Sequence, residues 1–114
     1  MIEIEKIKEL LKFIHLNSLQ SRLINKKNES SKWNEWLTMP VNGYFDCGEE
    51  PIRISEIRSI ELMSHIIKEV GARVPPIYLS KKEEIIAFLK GQEIPFEICT
   101  DNDAIRIALS KSNR

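Results

Sequence analysis

Apolar residues return every three or four positions from the start of the chain, and Ile7, Leu10, Leu11 and Ile14 fall on one face of a helix. Leu16, Leu19 and Leu23 continue the spacing on a slightly displaced stripe. The pattern therefore predicts one long N-terminal helix over 3–24, with an irregularity around His15, Leu16 and Asn17. From Asn25 to Ser31 no apolar anchor occurs, so 25–31 is expected to be an exposed connector. Ser31 then stands where an N-cap would, ahead of a short helical turn that directs Trp33 and Trp36 toward a similar side. Pro40 prevents a long continuation.

The next signals are turns and strands. Asn42-Gly43 marks a turn, Tyr44 to Cys47 has strand character, and Gly48 to Pro51 supplies another turn. Ile52 and Ile54 alternate with polar residues, as in a half-buried strand. Residues 55–70 carry two periods at once. Ile57 and Ile60 keep a helical spacing, whereas Ile60 and Leu62 keep a strand spacing. The preferred reading is two strands, Arg58–Met63 and Ile66–Val70, in an antiparallel meander; the alternative is one amphipathic helix over 55–70. Pro75-Pro76 leads into an extended Ile77-Tyr78-Leu79, and Ser80 is placed to cap a helix in capping-box spacing with Glu83. That second helix, near residues 81–90, faces the core with Ile85, Ile86, Phe88 and Leu89 and ends at Gly91. A strand over 94–98, a polar turn over 100–103 and an alternating strand through Ile105, Ile107 and Leu109 complete the chain before a polar tail.

These elements add up to an α+β fold, an antiparallel sheet packed against a long N-terminal helix and a second helix near 81–90. One compact domain over 1–114 accommodates them, since two domains of half that length would each be marginal. Helices on one sheet face leave the other partly wet and available for binding.

Charge narrows the function classes. Seventeen basic residues balance seventeen acidic ones, so no global charge draws the chain to nucleic acid or anionic lipid. The balance is uneven along the chain. Residues 1–32 hold seven basic and four acidic side chains, 33–72 hold three and seven, and 73–114 hold seven and six, so the middle third can form an acidic face. No uncharged apolar run approaches the roughly 20 residues of a membrane span. The first fourteen residues mix acids and lysines among isoleucines, unlike a signal peptide, and a cytoplasmic location is expected.

The candidate chemistry is sparse. Cys47, Cys99, His15 and His65 lack close ligand spacing, so no metal is expected, and the two cysteines read as free thiols borne on strands. The same histidines and the many carboxylates have no sequence relation that implies an acid–base or nucleophilic pair, and a non-enzyme is expected. Gly43, Gly48, Gly71 and Gly91 are isolated, so no phosphate-cradling loop and no cofactor is expected. Lys26, Lys27 and Lys32 beside Trp33 and Trp36 form a thin nucleic-acid footprint, better read as a solvated connector before a tryptophan-anchored turn. The candidate interface is instead acidic and aromatic. Asp46, Glu49 and Glu50, reinforced by Glu56 and Glu61, would meet a basic partner, with Trp33, Trp36 and Tyr44 as anchors.

Three short motifs carry a family resemblance: Lys32-Trp33-Asn34, Ile60-Glu61-Leu62, and Ile85 and Leu89 followed by Ile94-Pro95. They resemble a family of small uncharacterised bacterial proteins over roughly residues 31–98, and the resemblance implies a compact α+β fold without a recognised active site. The chain departs from that family at Pro51 to Ile54, where the family is richer in aromatic residues, and in its additional N-terminal helix. In size and class the chain also resembles bacterial immunity proteins, which neutralise a cognate toxin. That likeness implies a protein toxin as partner, with the nuclease domain of a contact-dependent or secreted effector as one such toxin. A self-associating or regulatory accessory protein without catalytic activity and a small nucleic-acid-binding module are the alternatives.

Overall fold

The first helix, α1 (Ile4–Leu16), buries Ile7, Leu10, Leu11 and Ile14, the stripe that the spacing of the sequence picks out. It stops eight residues earlier than the pattern predicts. Ser18 adopts a left-handed conformation (φ 53°), and its N–H bonds to the His15 carbonyl while the Leu19 N–H reaches back to Ile14. This is a Schellman stop, closed by burial of Leu19. Leu16 is left 85% exposed. The segment expected to continue the helix is strand β1 (Ser21–Asn25), in which Ser21 and Leu23 point inward. The four-residue step from Leu19 to Leu23 suits a period of two as well as one of 3.6, and the turn decides between them.

The computed structural model describes residues 3–35, 37–46, 51–100 and 102–109. The remaining strands are β2 (Thr38–Val41), β3 (Tyr44–Asp46), β4 (Ile52–Arg53), β5 (Ile57–Leu62), β6 (His65–Lys68), β7 (Ile77–Ser80), β8 (Glu97–Ile98) and β9 (Ile105–Ala108). A 3-10 turn, Ile54–Glu56, replaces the second half of the strand expected around Ile52 and Ile54. Helix α2 (Lys82–Gly91) buries Ile85 and Leu89. Its N-cap is Lys81 without a capping side chain; Ser80 lies one residue too early and accepts the Lys82 N–H at 3.4 Å. The fold is α+β, with antiparallel strands in three sheets ordered β1-β5-β9-β8, β2-β3-β4 and β6-β7.

Residues 57–68 are strands, not a helix. They do not form a meander. β5 pairs with β1 and β9, and β6 leaves the sheet to pair with β7. The clean alternation of Ile105 and Ile107 presents one apolar face to the sheet, whereas the consecutive Ile66 and Ile67 point to opposite faces. The connector 25–31 is also more structured than expected. It turns through Lys26 to Asn28, and the chain then returns along the outer edge of β1, with bridges Ile24↔Ser30 and Ser21↔Asn34. That pairing takes the place of the expected helical turn through Glu35, and Ser31 uses its hydroxyl to accept the Leu23 N–H at 2.9 Å.

Leu23, Ile60 and Ile107 lie in one row across the main sheet, and Leu62 and Ile105 lie in the next. Together with the buried faces of both helices they form one hydrophobic cluster that also includes Leu37, Phe45 and Ile54. Beside it Phe13 of α1 stacks on Phe88 of α2, ring centroids 4.2 Å apart and planes within 13°. A double-mutant cycle with Phe13→Leu and Phe88→Leu, read by urea denaturation, is expected to give a coupling of about 1 kcal/mol. Among the described residues no helix is long and apolar enough to cross a membrane.

Candidate functional site

Alternation along β5 sends Ile60 into the core and Glu61 to the opposite face. The register there places Arg22, Glu61, Arg106 and Glu97 side by side across all four strands. Glu61 is only 1% exposed. Arg22 donates from Nε and Nη2 to Oε1, both at 2.8 Å, and Arg106 donates from Nε and Nη2 to Oε2 at 3.0 and 2.8 Å. Arg106 also reaches Glu97 through Nη1 at 3.2 Å, and the Arg22 guanidinium lies 4.5 Å over the ring of Trp33. The Cys99 thiol is 3.9 Å from Glu61 Oε2.

Burial alone would push the Glu61 carboxyl up, but hydrogen bonds from Arg106 and Arg22, with their charges, outweigh it and hold the group below its ordinary value. The bonds that Arg106 donates to Glu61 in turn raise Arg106, against the effect of its own burial. Such a carboxylate is a poor general base, since both oxygens are occupied and its proton affinity is lowered. The row is a polar clasp that pins all four strands in register. Glu61 therefore does not belong to the acidic surface expected from the sequence.

The rest of the expected interface is spread over several elements. Trp33 is half-buried beside Arg22. Tyr44 and Asp46 both lie on β3, where Tyr44 is 38% exposed opposite Arg53, and Asp46 is half-buried opposite Thr38. Glu56 is exposed on the 3-10 turn, its carbonyl accepting the Lys26 N–H at 3.1 Å. Trp36, Glu49, Glu50 and Cys47 lie outside the described residues. The ligand candidates do not come together either. His15 donates from Nε2 to the Leu37 carbonyl at 2.8 Å, His65 lies against the Tyr78 ring, and Cys99 is buried by Glu61. Among the described residues no group of three or more His, Cys, Asp and Glu side chains is placed to hold a metal.

Two surfaces escaped the sequence reading. One is an open, mostly apolar groove of about 570 Å³ between α1 and β2, lined by Leu11, Leu16 and Met39 with Lys8, Lys12 and His15 along it. The other is the hairpin β6–β7, anchored at its base by the Lys81 N–H on the Ser64 carbonyl at 2.7 Å. Beyond that anchor Ile67, Val70, Val74, Ile77, Tyr78 and Leu79 are all 39–65% exposed. The ribbon's register puts Ile67 and Tyr78 on one face and Ile77 and Leu79 on the other, so both faces carry exposed apolar side chains. The consecutive Ile77-Tyr78-Leu79 was the available signal: a strand apolar at every position needs cover on two faces. Comparison with known proteins finds no family model, curated sequence or solved structure that matches the chain.

Proposed function

We propose that the chain is a protein-binding domain of the immunity type, which neutralises a cognate bacterial toxin such as the nuclease domain of a contact-dependent or secreted effector. The observation that carries protein binding is the exposed apolar hairpin, whose Ile67, Val70, Val74, Ile77, Tyr78 and Leu79 stay open to solvent around one two-stranded ribbon, since clustered exposed apolar side chains mark interaction sites. The charge pattern supports a basic partner. With Glu61 neutralised between two arginines, Glu35, Glu56 and Tyr44 remain at the surface of the acidic middle third. A nuclease groove shaped for an anionic substrate offers complementary charge. Size, fold class and the resemblance to immunity proteins add the biological setting.

The test is a pull-down followed by calorimetry and an activity assay against the toxin that it recovers. Micromolar or tighter binding and loss of toxin activity at one-to-one stoichiometry are expected, and no binding at micromolar concentration overturns the proposal. Reversing Glu49, Glu50 and Glu56 to lysine is expected to weaken binding roughly tenfold and to flatten its salt dependence.

A further inference from the structure

We infer that the hairpin's partner is a second copy of this chain, joined edge to edge along β7; the inference rests on reading the hairpin as a protein contact and names the protein. Unpaired N–H and C=O groups along a strand edge recruit another strand unless the edge is short, charged, broken by proline or covered. Among the described edges nearly all are blunted in one of these ways. Residues 29–34 cover the outer edge of β1. β4 and β8 are two residues long, β2 contains Pro40, and β6 ends on Lys68 followed by Glu69. β7 itself carries neither a charge nor a proline, although Pro75-Pro76 precede it and Lys81-Lys82 follow it. Ile77-Tyr78-Leu79-Ser80 is uncharged, exposed at all four residues, and paired on one side only.

Its sequence also fits itself. A twofold axis normal to the ribbon and midway between the two β7 strands, level with Tyr78, sets Tyr78 opposite Tyr78 and Ile77 opposite Leu79, so each facing pair stays on one face of the joined sheet. Aromatic and aliphatic cross-strand pairs of this kind favour pairing, and no like charges meet. The seam brings together Ile77, Tyr78 and Leu79 of both copies, while Ile67 on β6 and Val70 and Val74 at the hairpin tip lie away from it.

Sedimentation velocity on the full chain from roughly 5 to 200 μM is expected to show a dimer. Tyr78→Asp should weaken dimerisation at least about tenfold with an unchanged circular-dichroism spectrum, because the side chain is 65% exposed, whereas Tyr78→Phe should keep the dimer. Leu16→Asp, at an apolar position still more exposed and outside the hairpin, should leave the dimer intact. A monomer throughout the range overturns the inference, as does a dimer that survives both Tyr78→Asp and Leu79→Asp. The two readings fail separately. A monomer whose toxin binding is abolished by Tyr78→Asp keeps the hairpin as a protein contact and removes the second copy; a dimer that binds no toxin removes the immunity reading alone.

Discussion

Replacing Glu61 with alanine is expected to lower the unfolding free energy by about 3 kcal/mol, read as a fall in the urea midpoint at unchanged slope. The substitution leaves Arg22 and Arg106 facing each other across the central strand, two cations that the carboxylate now bridges. Removing one member of a buried ionic group exposes the desolvation of the others, which is why the loss exceeds that of a surface pair. Both arginine side chains retain contact with water, 24% and 44% exposed, and this holds the loss toward the lower end for buried ion pairs. Replacing all three by apolar residues, with Arg22→Met, Glu61→Leu and Arg106→Met, is expected to recover much of it. An unchanged midpoint for Glu61→Ala would show that the clasp contributes no net stability.

The same carboxylate gives a pH signature. Its folded pKa is lowered, so its stabilising contribution is present above the ordinary value of 4.5 and is lost as the pH falls from there through the folded value. Glu61→Gln should therefore be less stable than the native chain at neutral pH, and the gap should narrow below that value. A gap of constant size across the acid range would contradict the assignment of the shift to the two arginines.

Ile60→Ala, one residue away and pointing the opposite way, is expected to cost about 3–4 kcal/mol. Ile60 is fully buried between Leu23 and Ile107 in the middle of the sheet. Three lost carbon groups account for about 2.4 kcal/mol of transfer free energy. The rest is the cavity, because a strand bonded on both edges has little freedom to collapse into the space. Ile60→Val should cost about 1 kcal/mol, and thermal or urea unfolding of the pair distinguishes packing from a general loss of strand propensity.

Much of the fold was legible where one local signal acted alone. α2 follows from the spacing of Ile85 and Leu89, β9 from the alternation of Ile105 and Ile107, and the α+β class from their sum. The reading failed where two periods coincided. Leu19 and Leu23 are four apart, which one turn of helix and two steps of strand both satisfy, and only the left-handed Ser18 ends the helix. The candidate interface was less legible than the fold. Its acidic and aromatic members are close in sequence, while burial is set by neighbours far away in the chain.

The sequence by itself determined the period of most elements and the turns between them, because these depend on residues within a few positions of one another. The tertiary structure alone decided which elements became neighbours. Glu61 looks like one more surface acid until Arg22, 39 residues before it, and Arg106, 45 residues after it, close on its two oxygens. The hairpin was decided in the same way: β6 and β7 have ordinary apolar strand sequences, and they pair only with each other while β1 and β9 occupy the two edges of β5. Strand pairing is a competition among distant segments for a limited number of edges, and local pattern carries no record of which segment wins.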